Sequence, residues 1–146
     1  MKRFAALLAA SLLAAAPAVP GAQAAPAYRG RLSPVPVPAA LPTVTGAGLV
    51  TATLAGTKLT LTGTFEGLAT PATFAKLHRG AKGIRGPAVF DLTVTPGTSG
   101  KISAVLDLTP SQIEDLGRER FYVQLHSEKA PDGNLWGWLL AQETKR

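Results

Sequence analysis

The sequence predicts an all-β domain: an antiparallel β-sandwich of immunoglobulin-like or Greek-key type, with about seven strands and one short helix. Three observations carry this. From Gly46 onward apolar and polar residues alternate with period two, as Leu59, Leu61, Gly63 and Phe65 do against Lys58, Thr60, Thr62 and Thr64, the signature of a strand with one buried face. Clusters of Gly, Pro and Asn interrupt the alternation every 10 to 15 residues or so. A single segment carries the chemistry of a helix N-terminus. A small barrel is the second architecture that such runs allow.

The chain of 146 residues begins Met1-Lys2-Arg3, continues through an Ala/Leu-rich run from Phe4 to Val19, and reaches Ala22-Gln23-Ala24. A basic start, a short apolar stretch and an A-x-A site make residues 1–24 a secretory signal peptide cut after Ala24. The apolar run is broken by Pro17 and falls short of the roughly 20 residues a spanning helix requires. Its removal takes Lys2 and Arg3 with it, so the formal charge of +6 for the whole chain becomes +4 in the exported part. That mild basicity is no nucleic-acid footprint. The positive mean hydropathy of +0.17 belongs to the signal and to inward strand faces, and no later stretch is apolar enough to span a membrane. The expected location is the bacterial periplasm or the medium.

Residues 25–45 hold Pro26, Pro34, Pro36, Pro38 and Pro42. Prolines at this density fix φ and remove donors, so the stretch reads as an extended spacer, with the folded domain at 46–146. Its strands are expected at Leu49–Leu54, Lys58–Phe65, Ala72–His78, Ala88–Thr95, Lys101–Leu108, Arg120–Ser127 and Leu135–Ala141. Phe121, Val123 and Leu125 point inward, and Tyr122, Gln124 and His126 outward. Pro131-Asp132-Gly133-Asn134 is the strongest turn signal, because Asp-Gly suits the positive φ of a tight hairpin. Between the fifth and sixth of the later strands, Thr109-Pro110-Ser111-Gln112 is a capping box with proline at the first helical position, and Gly117 ends the segment.

The chain has no cysteine, which excludes disulfides, thiolate nucleophiles, Cys-ligated zinc or iron–sulfur centres and c-type haem attachment. Acidic residues show no paired-carboxylate or Ser-His-acid spacing, so the expectation is a protein that is not an enzyme.

Three stretches carry a family resemblance: Leu49–Gly56; the strand end Leu77-His78 followed by Arg79–Val89 with Gly80, Gly83 and Gly86-Pro87; and Phe121–Glu128 leading into Pro131–Gly137. Their order and spacing resemble the CHRD domain, named after chordin and found in many exported bacterial proteins. The resemblance spans about residues 46–141 and implies an all-β domain. Two places depart from the family's pattern. Lys76 stands where many members have an earlier histidine, and Asn134 and Trp136 stand where an acidic residue and an arginine are common.

Three candidate sites follow. Trp136 and Trp138 share one face of the last strand, beside Tyr122 and Gln124; they form either an aromatic platform for a sugar or a partner protein or a face packed under loops. Arg79, Lys82 and Arg85 interleave with Gly80, Gly83 and Gly86, either as an anion-binding nest or as a solvated tight loop. The Gly-x-x-Gly here lacks the helices of a KH domain and the Gly-Lys-Ser/Thr of a P-loop. His78 and His126, the only histidines, either bind zinc or copper with Glu128 or Asp132 as an oxygen ligand or hold neighbouring carbonyls. Two histidines cannot furnish a copper–zinc dismutase site. The preferred reading is a cofactor-free binding or structural module of the cell envelope, its partner an envelope protein or polysaccharide. The alternative is a periplasmic metal-binding protein using His78, His126 and Glu128.

Overall fold

The computed structural model describes residues 24–37 and 41–143. The expected signal peptide lies outside the described residues except for Ala24. In chain order the elements are β1 (Ala27–Pro34), β2 (Ala47–Ala55), β3 (Lys58–Glu66), β4 (Ala72–Arg79), β5 (Ala88–Val94), β6 (Gly100–Asp107), α1 (Pro110–Gly117), β7 (Phe121–Ser127), β8 (Ala130–Trp138) and β9 (Leu140–Ala141). The fold is all-β with one short helix.

The strands do not stop as two stacked sheets. They run β2-β3-β6-β5-β4-β7-β8-β1, and β1 also pairs with β2, so eight strands close into a barrel, with β9 added alongside β1. This corrects the expected sandwich. Two narrow joints make the closure. At one, β5 meets β6 only through Thr93↔Ser103 and Val94↔Ile102. At the other, β1 gives Ala27–Leu32 to β2 and its last two residues, Ser33 and Pro34, to Trp136 and Leu135 of β8. A closed ring leaves no unpaired sheet edge. Period-two alternation fits a barrel wall as well as a sandwich face, which is why the runs themselves could not separate the two.

The closing strand lies in the stretch expected to be a spacer. Between Pro26 and Pro34 the chain is free of proline and alternates: Tyr28, Gly30 and Leu32 are buried, Arg29, Arg31 and Ser33 exposed. The prolines fall just outside the strand or at its end, where a missing donor does no harm. Val35 is buried too, and its N–H donates to the Asn134 carbonyl at 3.0 Å. The folded unit therefore begins near Ala27 rather than Gly46.

Inside the ring, Leu32, Val50, Leu59, Leu61, Leu77, Ile102, Phe121, Val123, Leu125, Leu135 and Leu139 are fully or almost fully buried. Each such side chain stabilises by about 1.5–3 kcal/mol relative to exposure, a core adequate without disulfides. The helix forms as the capping box requires. Thr109 Oγ1 accepts from the Gln112 N–H at 3.2 Å, and Gln112 Oε1 accepts from the Thr109 N–H at 2.9 Å. The left-handed residue beyond its end is Glu119, φ 57°, rather than Gly117.

A third correction concerns the β7–β8 hairpin. The chain reverses at Glu128-Lys129, while Pro131-Asp132-Gly133-Asn134 lies within β8. Leu125 pairs with Leu135 and Ser127 with Ala130, so one residue of β7 faces four of β8. The positive φ of Gly133, 130°, serves this bulge rather than a hairpin tip. A Cβ there would stand 2.6 Å from Gln124 Nε2.

Candidate functional site

The outer face of β4, β7 and β8 gathers most of the residues singled out from the sequence. Register sets them in rows. His78 lies opposite Tyr122, and Tyr122 opposite Trp138; Lys76 lies opposite Gln124, and Gln124 opposite Trp136; Phe74 lies opposite His126. Alternation predicted that the Tyr122/Gln124/His126 side of β7 would be solvent-facing. Instead all seven residues of β7 are buried, because rings and loops cover this side. His126 stacks on Phe74 with centroids 4.1 Å apart, His78 stacks on Tyr122 at 4.9 Å, and Trp138 lies tilted on Tyr122 at 4.6 Å. Tyr122 and Gln124 thus support the aromatic face from within and are not themselves a contact surface.

The loop from Gly80 to Pro87 is clamped onto this cluster. Trp138 Nε1 donates to the Gly80 carbonyl at 2.9 Å, His78 Nδ1 to the Gly86 carbonyl at 2.9 Å, and the Gly86 N–H to the Tyr122 hydroxyl at 2.9 Å. Gly86 is required by close approach: a Cβ there would stand 1.8 Å from the Arg79 carbonyl oxygen. Within the loop, the Gly80, Ile84 and Gly86 N–H groups donate to the Arg120 carbonyl, the Ala81 carbonyl and the Tyr122 hydroxyl.

The loop's cations are also largely committed. Arg79 forks onto Asp115 with N–O distances of 2.5 and 3.1 Å, which holds the Asp115 carboxyl below its ordinary pKa. Lys82 pairs with Glu119, and that ion pair, ahead of the donated Ala141 N–H, lowers the Glu119 carboxyl in the same sense. Lys76 pairs with Asp91 at 2.8 Å. Arg85 has no carboxylate partner among the described residues; it lies over the Trp136 ring at 5.8 Å and donates to the Asp132 carbonyl. α1 and the turn that follows it therefore bring Asp115 and Glu119 to the basic loop. Sequence spacing offers no sign of those pairs, since each partner lies more than 30 residues away.

The two histidines are not brought together. They sit two rows apart on adjacent strands, about 13 Å along the strand direction, with Lys76 and Gln124 in the row between. Each donates its Nδ1–H to a carbonyl, His78 to Gly86 and His126 to Pro131 at 2.8 Å, leaving Nε2 as the lone-pair nitrogen. His126 Nε2 faces Gln124 Nε2 at 3.4 Å, and His78 Nε2 is buried without a protein partner. Burial, opposed by the bond to Pro131, holds the His126 pKa below its ordinary value. Glu128 lies exposed in the β7–β8 turn. Among the described residues no group of three or more His, Asp or Glu side chains is placed to hold a metal ion.

What remains open to solvent is the far side of the tryptophan pair. Trp136 and Trp138 are half-buried and line an open groove of about 420 Å³ with Arg31, Ser33, Lys82 and Leu140. Sequence spacing does not single out Arg31, because the proline density around it marks its segment as a spacer. The alternation Tyr28-Arg29-Gly30-Arg31-Leu32-Ser33 was the signal that could have found it.

No helix among the described residues is long and apolar enough to cross a membrane. No curated protein and no solved structure matches the chain. A family model described as the CHRD domain matches residues 30–139, a span that includes most of β1 and runs to the end of β8, in agreement with a folded unit that starts well before Gly46. With well over half of its length matched, the chain belongs to the CHRD-domain family.

Proposed function

We propose that this chain is an exported, non-enzymatic binding module of the bacterial cell envelope, whose contact surface is the tryptophan side of β8. The observation that carries the reading is the groove beside Trp136 and Trp138. Two indoles at a solvent-open groove suit recognition, because an aromatic side chain supplies large contact area with few rotatable bonds. Export rests on the basic, apolar and A-x-A pattern of residues 1–24, and on that reading the partner is sought among envelope proteins or polysaccharides. The metal reading, with zinc or copper on His78 and His126, has less support, given the row that separates them.

The test has two parts. Expressed with its own leader in a bacterial host, the protein should be recovered outside the cytoplasm with Ala25 at its N-terminus. The mature protein should be retained by cell-wall sacculi, envelope polysaccharide or an isolated envelope protein, and Trp136→Ala should abolish retention with little change in the unfolding midpoint. Retention that survives Trp136→Ala would reject the tryptophan side as the contact surface.

A further inference from the structure

We propose that the groove is a binding site for an acidic polysaccharide, a chain of uronic-acid type, and that Arg29 and Arg31 of β1 recognise its carboxylates. This rests on the binding-module reading and names its ligand class. Two tracks lie side by side along the outside of the barrel. On β1, Arg29, Arg31 and Ser33 point outward and are exposed. Next to them run Leu140, Trp138 and Trp136: Trp136 pairs with Ser33, Leu140 pairs with Arg29, and the backbone of Trp138 lies against Gly30. The groove holding the tryptophans shares Arg31 and Leu140 with a neighbouring one of about 440 Å³ that adds Arg29, Leu49 and Gln142. The two grooves adjoin at Arg31 and Leu140, a furrow with apolar and aromatic residues on one side and Arg29 and Arg31 along its middle.

Charge decides the ligand's sign. The protein has nine acidic side chains, and among the described residues none lies within ion-pair distance of Arg29 or Arg31, whereas Arg79, Lys82 and Lys76 are each paired. Two unpaired guanidinium groups two residues apart stand about 7 Å from each other at their Cα atoms, and each can fork onto a carboxylate. Chemistry decides the class. A sugar acid offers an apolar C–H face and an edge carboxylate within one ring. The two tracks offer indole or leucine and guanidinium one strand apart, about 4.8 Å. An acidic peptide could not add as an extra strand here, because β1 is hydrogen-bonded on both sides, to β2 and to β8 and β9.

The protein contains two tryptophans and both line the furrow, so their emission reports its occupancy. Titration of the mature protein with polygalacturonate should shift the emission saturably, and dextran, a neutral polymer, should not. Arg31→Gln and Arg29→Gln should each weaken the polygalacturonate affinity about tenfold, the loss of one charge-assisted contact. Raising salt from 0.1 to 1 M, which shortens the screening length from about 10 Å to 3 Å, should weaken it further in the parent than in the double variant. Equal response to dextran, or affinity unchanged in Arg31→Gln, overturns the acidic-ligand assignment while leaving a binding module intact. An arginine-dependent response to polyglutamate or to anionic phospholipid vesicles, with none to polygalacturonate, overturns the carbohydrate class. Failure of the module reading itself is seen separately, in retention that ignores Trp136→Ala.

Discussion

Gly86→Ala is the substitution whose cost the structure defines most sharply. The added Cβ would stand 1.8 Å from the carbonyl oxygen of Arg79 and 2.8 Å from its carbon. Both are backbone atoms, so no side chain can swing aside, and the loop must move off β4 by more than 1 Å. Three hydrogen bonds depend on that contact: the Arg79 N–H to the Pro87 carbonyl at 3.0 Å, the Gly86 N–H to Tyr122 at 2.9 Å, and His78 Nδ1 to the Gly86 carbonyl at 2.9 Å. At about 1 kcal/mol each, their loss destabilises by about 3 kcal/mol, a fall in Tm on the order of 10 °C for a domain of this size. Gly83→Ala in the same loop is the control. Its φ of +78° makes a side chain cost about 1 kcal/mol, and a Cβ there would meet nothing within 4 Å. Urea unfolding of the mature protein and both variants, followed by circular dichroism, measures the difference. A Gly86→Ala midpoint at or above that of Gly83→Ala would refute the argument that close backbone approach fixes this glycine.

Three further outcomes are expected. Leu32→Ala should destabilise by about 2–5 kcal/mol, since Leu32 is fully buried in β1; an unchanged denaturation midpoint would restore the spacer reading of this segment. Asn134→Ala should cost about 2 kcal/mol or more, because the side chain accepts from Ser127 Oγ at 2.8 Å and donates to the Thr45 carbonyl at 2.7 Å, leaving both without a partner; calorimetry should show it more damaging than Ser127→Ala. Burial lowers the His126 pKa, so below the ordinary value of about 6.5 the unfolded chain binds a proton that the fold resists. Stability should therefore be complete above that pH and fall as pH drops toward the folded value, and His126→Gln should flatten the dependence of the urea midpoint between pH 7.5 and 5.5.

Six of the seven strands read from alternation form as single strands, the seventh, Leu135–Ala141, is divided between β8 and β9, and the capped helix forms at Pro110. These were legible because each is written in local chemistry: a period-two burial pattern, or a Thr-Pro-Ser-Gln cap whose groups lie three residues apart. Two features were not. Proline density around Tyr28–Ser33 outweighs a clean alternation, though Pro26 precedes the strand and Pro34 is its last residue. Asp132-Gly133 reads as a hairpin tip because positive φ is shared by turns and bulges, and only the pairing of Ser127 with Ala130 distinguishes them. The site was half legible. Trp136 and Trp138 were placed on one face, but Tyr122 and Gln124 are covered, and the loop cations Arg79 and Lys82 are neutralised by Asp115 and Glu119.

The sequence by itself determined the all-β class, the helix and its cap, the family resemblance carried by the His78 and His126 motifs, and the absence of any cysteine-based chemistry. Tertiary structure alone decided that the strands close into a ring, that the outer face of β7 is covered, and which charges remain unpaired. The physical reason is range. Alternation and capping act within a few residues, whereas closure, coverage and ion pairing depend on groups brought together from distant parts of the chain, as Arg79 is to Asp115 and Ser33 to Trp136.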